Sequence, residues 1–168
     1  MTVTLHAQPY DITATGFYFE TAEDFTTKSR ALRNDYGEPV EEFEIQFIDG
    51  DAIDCALASA FGLHQGNIAQ YLEAVEAWDT HGKRVAILAL RDCGFDLTPD
   101  LHPDEFDIDI YELNSLRELA ELFVEDGFFG ELREQLQVYV DYDAIARDLG
   151  MDYAEATIAG TPLVYRCG

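Results

Sequence analysis

Glu42-Phe43-Glu44-Ile45-Gln46-Phe47 alternates without a break, so Phe43, Ile45 and Phe47 fall on one side of an extended chain and Glu42, Glu44 and Gln46 on the other. A period of two predicts a strand with one buried face, and here the wet face is acidic. The pattern returns in Phe106-Asp107-Ile108-Asp109-Ile110-Tyr111, and between the two stretches the period changes to that of helices. Strands and helices that succeed one another in this way predict an α+β chain.

Toward the amino terminus, Thr2 to His6 and Gly16 to Phe19 read as short extended pieces punctuated by Pro9 and Gly16. Thr21-Ala22-Glu23-Asp24 has the form of a helix start, with Phe25, Ser29 and Leu32 at helical spacing and an end near Asn34 to Gly37. Beyond Gly50, helices are expected over 51–61, 67–79 and 84–92, separated by Gly62, Gly66 and Gly82. In the second, Ile68, Tyr71, Leu72, Val75 and Trp78 share an arc while Glu73 and Glu76 point away. Val85 to Leu90 is apolar nearly all round, a pattern that a buried strand shares, and is read as helix. Gly94 to Pro103 is a connector. Ser115-Leu116-Arg117-Glu118 is a capping box that opens a helix with Leu116, Leu119, Ala120 and Phe123 inward, Glu118, Glu121 and Glu125 outward, and Leu122 without an evident place. Leu136 to Leu149 is read as one helical segment, followed by a hairpin of Ala154–Ile158 and Leu163–Arg166 around Gly160-Thr161. The chain is thus expected to hold a mixed α/β unit over 1–50, a helical unit over 51–103 and an α+β unit over 104–168.

Charge is the dominant compositional feature. Ten Lys+Arg face 34 Asp+Glu in 168 residues, a formal charge of -24, with 48% apolar residues and a pI near 4.1. The acids are interleaved with 11 Phe, 9 Tyr and Trp78 rather than gathered in a tail, which places them on an ordered surface. Nucleic acid and anionic membranes are repelled by such a surface, so the expected partner is basic. Cys55, Cys93 and Cys167 are odd in number and widely spaced, a pattern that fits a reducing compartment better than a disulfide framework or a zinc site. Met1-Thr2-Val3 lacks a basic start with a long apolar run behind it, and no long apolar window follows; a soluble cytoplasmic protein is expected.

No catalytic constellation stands out, and neither an enzyme nor a cofactor is expected. His6, His64, His81 and His102 are scattered near turns or termini. His102, Asp104, Glu105 and Asp107 do not make a closed ligand set. Asp49-Gly50-Asp51 with Asp54 lacks the ligand order of a calcium loop. Ser29, Ser59 and Ser115 lie in no G-x-S-x-G turn, and the glycines form no phosphate cradle.

The acids themselves have regular geometry. Carboxylates two apart on a strand stand roughly 6.5–7 Å from each other, and those three or four apart on a helix roughly 5–6 Å. Successive phosphates of DNA have a similar spacing, as does any acidic helix or strand. The candidate partner-binding acids are Glu42, Glu44, Asp49, Asp51, Asp54, Glu73, Glu76, Asp107, Asp109, Glu118, Glu121 and Glu125.

Three segments carry a family likeness: Gly16-Phe17-Tyr18-Phe19 with Asp24-Phe25; Glu41-Glu42-Phe43-Glu44-Ile45 with Asp49; and Leu136 to Leu149, with Tyr139, Asp141-Tyr142 and Arg147-Asp148-Leu149. In this order they resemble the ArdA family of antirestriction proteins; residues 1–15 fit that family poorly. The resemblance implies an elongated chain of small units, a homodimer formed through the carboxy-terminal unit, and an acidic surface that imitates the phosphates of bent duplex DNA. It implies as partner the DNA-binding groove of a type I restriction–modification enzyme, inhibited on behalf of a mobile genetic element. Tyr139, Val140 and Tyr142 are the candidate dimer contacts, because Val138 to Tyr142 is the densest aromatic and apolar mix outside clear core periodicity. With one phosphate charge per ~1.7 Å, the charge of -24 corresponds to roughly 40 Å of duplex, and a dimer to roughly 80 Å or about 24 base pairs. Two other classes compete with this expectation: a halophilic-type acidic domain, suggested by Lys28 and Lys83 being the only lysines, and a general acidic adaptor for a basic protein.

Overall fold

In the computed structural model, which describes residues 2–168, the chain divides into two units, Met1–Asp104 and Glu105–Gly168. Residues 1–50 and 51–103 therefore lie in one unit. In that unit, strands β1 (Thr4–Pro9), β2 (Phe17–Phe19) and β3 (Phe43–Asp49) form an antiparallel sheet in the order β2-β1-β3. Register places Leu5 between Phe19 and Phe47, and Ala7 between Phe17 and Ile45, which sets the apolar residues of all three strands on one face. Helix α1 (Ala22–Ala31) lays Phe25 on that face, with ring centroids 5.1 Å from Phe19, 5.8 Å from Phe43 and 6.0 Å from Phe17. No residue of α1 is fully buried, so this aromatic contact is its main anchor. Thr21 caps the helix, its hydroxyl accepting from the Asp24 N–H at 3.0 Å. Gly16 lets β2 approach β1: a Cβ there would lie 2.6 Å from the Ala7 carbonyl oxygen.

Helices α2 (Ala52–Phe61), α3 (Ile68–Ala77) and α4 (Thr80–Arg91) follow. Helix α4 begins earlier than its apolar run, because Asp79 caps it by accepting from the Gly82 N–H at 2.7 Å. Gly82 is therefore inside the helix and not a separator. Val85 to Ala89 are all buried, as an all-round apolar helix requires, and α4 packs on α2.

The second unit is built from β4 (Ile108–Tyr111), α5 (Leu116–Glu125), α6 (Glu134–Gln137), α7 (Tyr142–Leu149), β5 (Ala154–Ile158) and β6 (Thr161–Cys167), with antiparallel order β4-β6-β5. Leu119, Phe123 and Val164 form its core, joined by Tyr111, Leu116, Leu149 and Tyr153. Leu122 finds its place on that same cluster. The stretch from Leu136 to Leu149 is not one helix. Asp141 accepts from the Ala144 N–H at 3.0 Å and so starts α7 afresh, leaving Val138 to Val140 as a break.

The described residues are α+β, with two small antiparallel sheets and no closed barrel. Among them no helix is long and apolar enough to cross a membrane. Cys55 carries a free thiol but Cys93 and Cys167 do not, which corrects the reading of three reduced cysteines.

The hairpin turns at Ala159-Gly160, one residue before the expected pair, with φ of 50° and 79°. Both positive values are those of a two-residue turn whose twist matches the strands, and an alanine is strained in the first position. Ala159→Asn relieves that strain, and a gain of about 0.5–1 kcal/mol in urea unfolding is expected; a loss would show that the side chain at this position matters for another reason.

Candidate functional site

Of the 34 acids, 29 are exposed, Asp11, Asp24, Asp109 and Glu118 are half-buried, and only Asp54 is buried. The surplus is shared. Nineteen acids and six bases in residues 1–104 give -13, and fifteen acids and four bases in residues 105–168 give -11. Neither unit is an acidic tail attached to a neutral body.

Among the residues expected to carry the acidic face, Glu42, Glu44, Asp49, Asp51, Glu73, Glu76, Asp107, Glu121 and Glu125 are exposed. Glu44 lies on the open face of the first sheet, in register with Gln8. Glu73 and Glu76 lie on α3, and Glu125 ends α5.

The others have work inside the fold. Asp54 is not a surface acid: its side chain is buried in the first turn of α2, and the Lys83 ammonium donates to it at 2.6 Å. Tyr71, fully buried on α3, donates its hydroxyl to the Asp54 backbone carbonyl at 2.8 Å. Burial first, and then the neighbouring Asp54 charge, pushes the Tyr71 hydroxyl well above its usual pKa. A carboxylate, an ammonium and a phenol thus tie α2, α3 and α4 together. Asp109 pairs with Arg166 directly across β4 and β6, at 2.7 Å. Glu121, although exposed, is held by Arg117 at 3.2 Å, and the same guanidinium reaches Asp143 on α7 at 2.6 Å. Glu118 serves the start of α5. It accepts from the Asn114 backbone N–H at 2.7 Å while its own N–H donates to Ser115 Oγ, and the Asn114 bonds hold its carboxyl below the usual glutamate range.

Of the three candidate dimer contacts, Tyr139 is 83% exposed, whereas Val140 and Tyr142 are half-buried and Tyr142 lies under the Arg117 guanidinium, 5.9 Å from its ring centroid. Val138, in the stretch from which these contacts were chosen, is exposed as well. Sequence reasoning missed the apolar residues that precede it: Phe128, Phe129, Leu132 and Leu136 are all exposed, and the available signal was two aromatics directly behind the helix stop at Gly127. It also missed a groove of about 730 Å³ in the first unit, lined by Leu72, Val75, Glu20, Glu73 and Glu76 among others. No group of three or more His, Cys, Asp or Glu is arranged to hold a metal ion among the described residues; His102 and Asp104 approach to 3.5 Å, both exposed. Compared with known proteins, the chain matches no family and no curated sequence.

Lys83→Met leaves Asp54 buried without its cation and is expected to cost about 3–5 kcal/mol in chemical denaturation, while Asp54→Leu with Lys83→Met recovers most of that loss. Equal losses in the single and double variants would show that the pair contributes no more than its packing. A depressed carboxyl contributes its stabilisation above the ordinary glutamate pKa of about 4.3 and loses it as pH falls through the lower folded-state value. In a ¹³C titration the Glu118 midpoint should lie below that ordinary value and move only part of the way up to it in Asn114→Ala, because the larger cause, the backbone N–H of residue 114, stays in place and only the side-chain bonds are lost; a midpoint that does not move would show that the side-chain bonds contribute nothing.

Proposed function

We propose that this chain is an antirestriction protein of the ArdA kind, a DNA mimic that occupies the DNA-binding groove of a type I restriction–modification enzyme in the cytoplasm and acts as a homodimer. The observation that carries this reading is the charge carried by both units: 29 exposed acids, on strands, helices and the loops between them, with -13 and -11 on the two units. A surface of this kind is attracted to a basic groove from beyond contact distance. The Debye length is about 8 Å at physiological salt, so carboxylates spaced along a strand or helix act on the groove together, as phosphates do. A duplex would be repelled by the same field.

The homodimer rests on the six exposed apolar residues between Phe128 and Tyr139, since exposed aromatic and aliphatic side chains on so acidic a chain are what burial against a second copy would cover. Val138→Asp and Tyr139→Asp alter residues that are 80% and 83% exposed, so each should give a folded monomer by light scattering. A dimer that persists in both would place the contact elsewhere.

Fluorescence anisotropy of a labelled duplex on a purified type I methyltransferase tests the main reading: release of the duplex at protein excess is expected, with no binding of the duplex to the protein alone. DNA that stays bound would end the proposal. Each exposed pair contributes about 0–1 kcal/mol, so Glu42→Gln or Glu125→Gln alone should leave inhibition nearly intact. Neutralising Glu42, Glu44, Asp49, Asp107 and Glu125 together should weaken it by several kcal/mol. Loss of all inhibition on one such change, in a folded protein, would point to an enzyme's active site instead.

A further inference from the structure

Helix α3 has more apolar surface than its packing uses. Ile68, Tyr71 and Ala74 are buried, but the neighbouring stripe of Ala69, Leu72 and Val75, at the same spacing one position on, is not: Leu72 and Val75 are half-buried and Ala69 is exposed. This stripe lines the groove of about 730 Å³ between α3 and the start of α1, and Glu20, Glu73 and Glu76 stand on its rim. No lysine or arginine lines it.

We propose that this groove docks a basic amphipathic helical segment of the protein's target, with leucine-like side chains on the Ala69–Leu72–Val75 floor and lysines or arginines against Glu20, Glu73 and Glu76. This rests on the reading that the target is a basic protein. Charge complementarity selects the occupant. A phosphate or any nucleic acid meets three carboxylates, and a second copy of this chain brings a charge of -24 to an acidic rim. A purely apolar ligand would desolvate the rim carboxylates without pairing them. A long basic side chain suits both parts, because its methylene stem covers apolar floor while its head remains with the acids. Laying the apolar face of a helix in a groove fixes direction and register, which a row of phosphate-like charges does not.

The test uses the full chain and two fluorescein-labelled peptides of equal charge, one a Leu/Lys amphipathic helix and the other Lys/Ser. At ~300 mM salt, where exposed charge is strongly screened, the Leu/Lys peptide should bind at least about tenfold more tightly than the Lys/Ser peptide. Ala69→Trp fills the groove and removes no carboxylate; it should abolish that preference and leave Lys/Ser binding within about twofold. Ala69→Arg, mild on an exposed helix position, should also abolish that preference, its side chain covering the apolar floor, and should weaken both peptides by placing a guanidinium among the rim acids. Glu73→Gln with Glu76→Gln should weaken both peptides. Equal affinity of the two peptides for the wild-type chain, or an unchanged preference in either Ala69 variant with wild-type circular dichroism, overturns the proposal. The assay contains no restriction enzyme, so its outcome is separate from that of the DNA-release experiment.

Discussion

Self-repulsion is the constraint to which the rest of this structure answers. A charge of -24 on 168 residues opposes compaction at every step, and the fold meets it by giving many acids a local positive partner that is not a side chain. Asp79 and Asp141 accept backbone N–H groups as helix caps. Glu23 and Asp24, Glu118, Glu134 and Asp143 occupy first turns, where the helix dipole favours negative charge by about 0.3–1 kcal/mol each. The scarce bases are placed at the other ends, with Lys28 and Arg30, Arg91 and Arg147 in last turns. A helix can therefore carry acid at the one end where a carboxylate stabilises it.

The one buried acid is the exception that the constraint explains. Asp54 is excluded from water, and an isolated buried carboxylate would cost several kcal/mol. One of only two lysines in the chain is committed to it. That lysine comes from α4 and the phenol that meets the same turn comes from α3, so the pair and the phenol's bond form together only when three helices are docked correctly. With the buried Asn67 amide donating to the Phe61 carbonyl between the end of α2 and the start of α3, this arrangement gives direction to helices that otherwise pack through apolar side chains.

What the sequence disclosed followed from local physics. The alternation at Phe43 to Phe47, the caps at Thr21 and Ser115 and the all-round apolar run at Val85 each act within a few residues, and the strands and helices stand where those signals put them. The misreadings were non-local. Asp54 looked like a member of an acidic turn because its partner is 29 residues away. Asp109 and Glu118 have the spacing of surface acids, yet one faces an arginine across the sheet and the other holds a backbone N–H. The break before Asp141 was hidden because an aspartate inside an apolar pattern can be read as a helix's wet side or as a new cap, and only packing decides. The groove was hidden for a related reason: Leu72 and Val75 were placed on the inward arc with Tyr71, and periodicity does not show where a neighbour stops covering a helix.

On the proposed reading, charge alone leaves the inhibitor at a disadvantage that the uncharged surface has to make up. Carboxylates on a folded chain are spread over two dimensions and interrupted by arginines such as Arg117 and Arg166, so their linear density falls short of the one charge per ~1.7 Å of a duplex. Lower density means fewer condensed counterions to release, and a smaller electrostatic gain on binding at low salt. The same deficit becomes an advantage as salt rises, because DNA loses affinity in proportion to the counterions it had released. Contacts that do not depend on salt, such as those offered by Leu72 and Val75 in the groove, then count fully. A competitor built in this way gains on its rival at the ionic strength of a cell, which is a physical reason for a DNA-like surface to be combined with apolar features that DNA lacks.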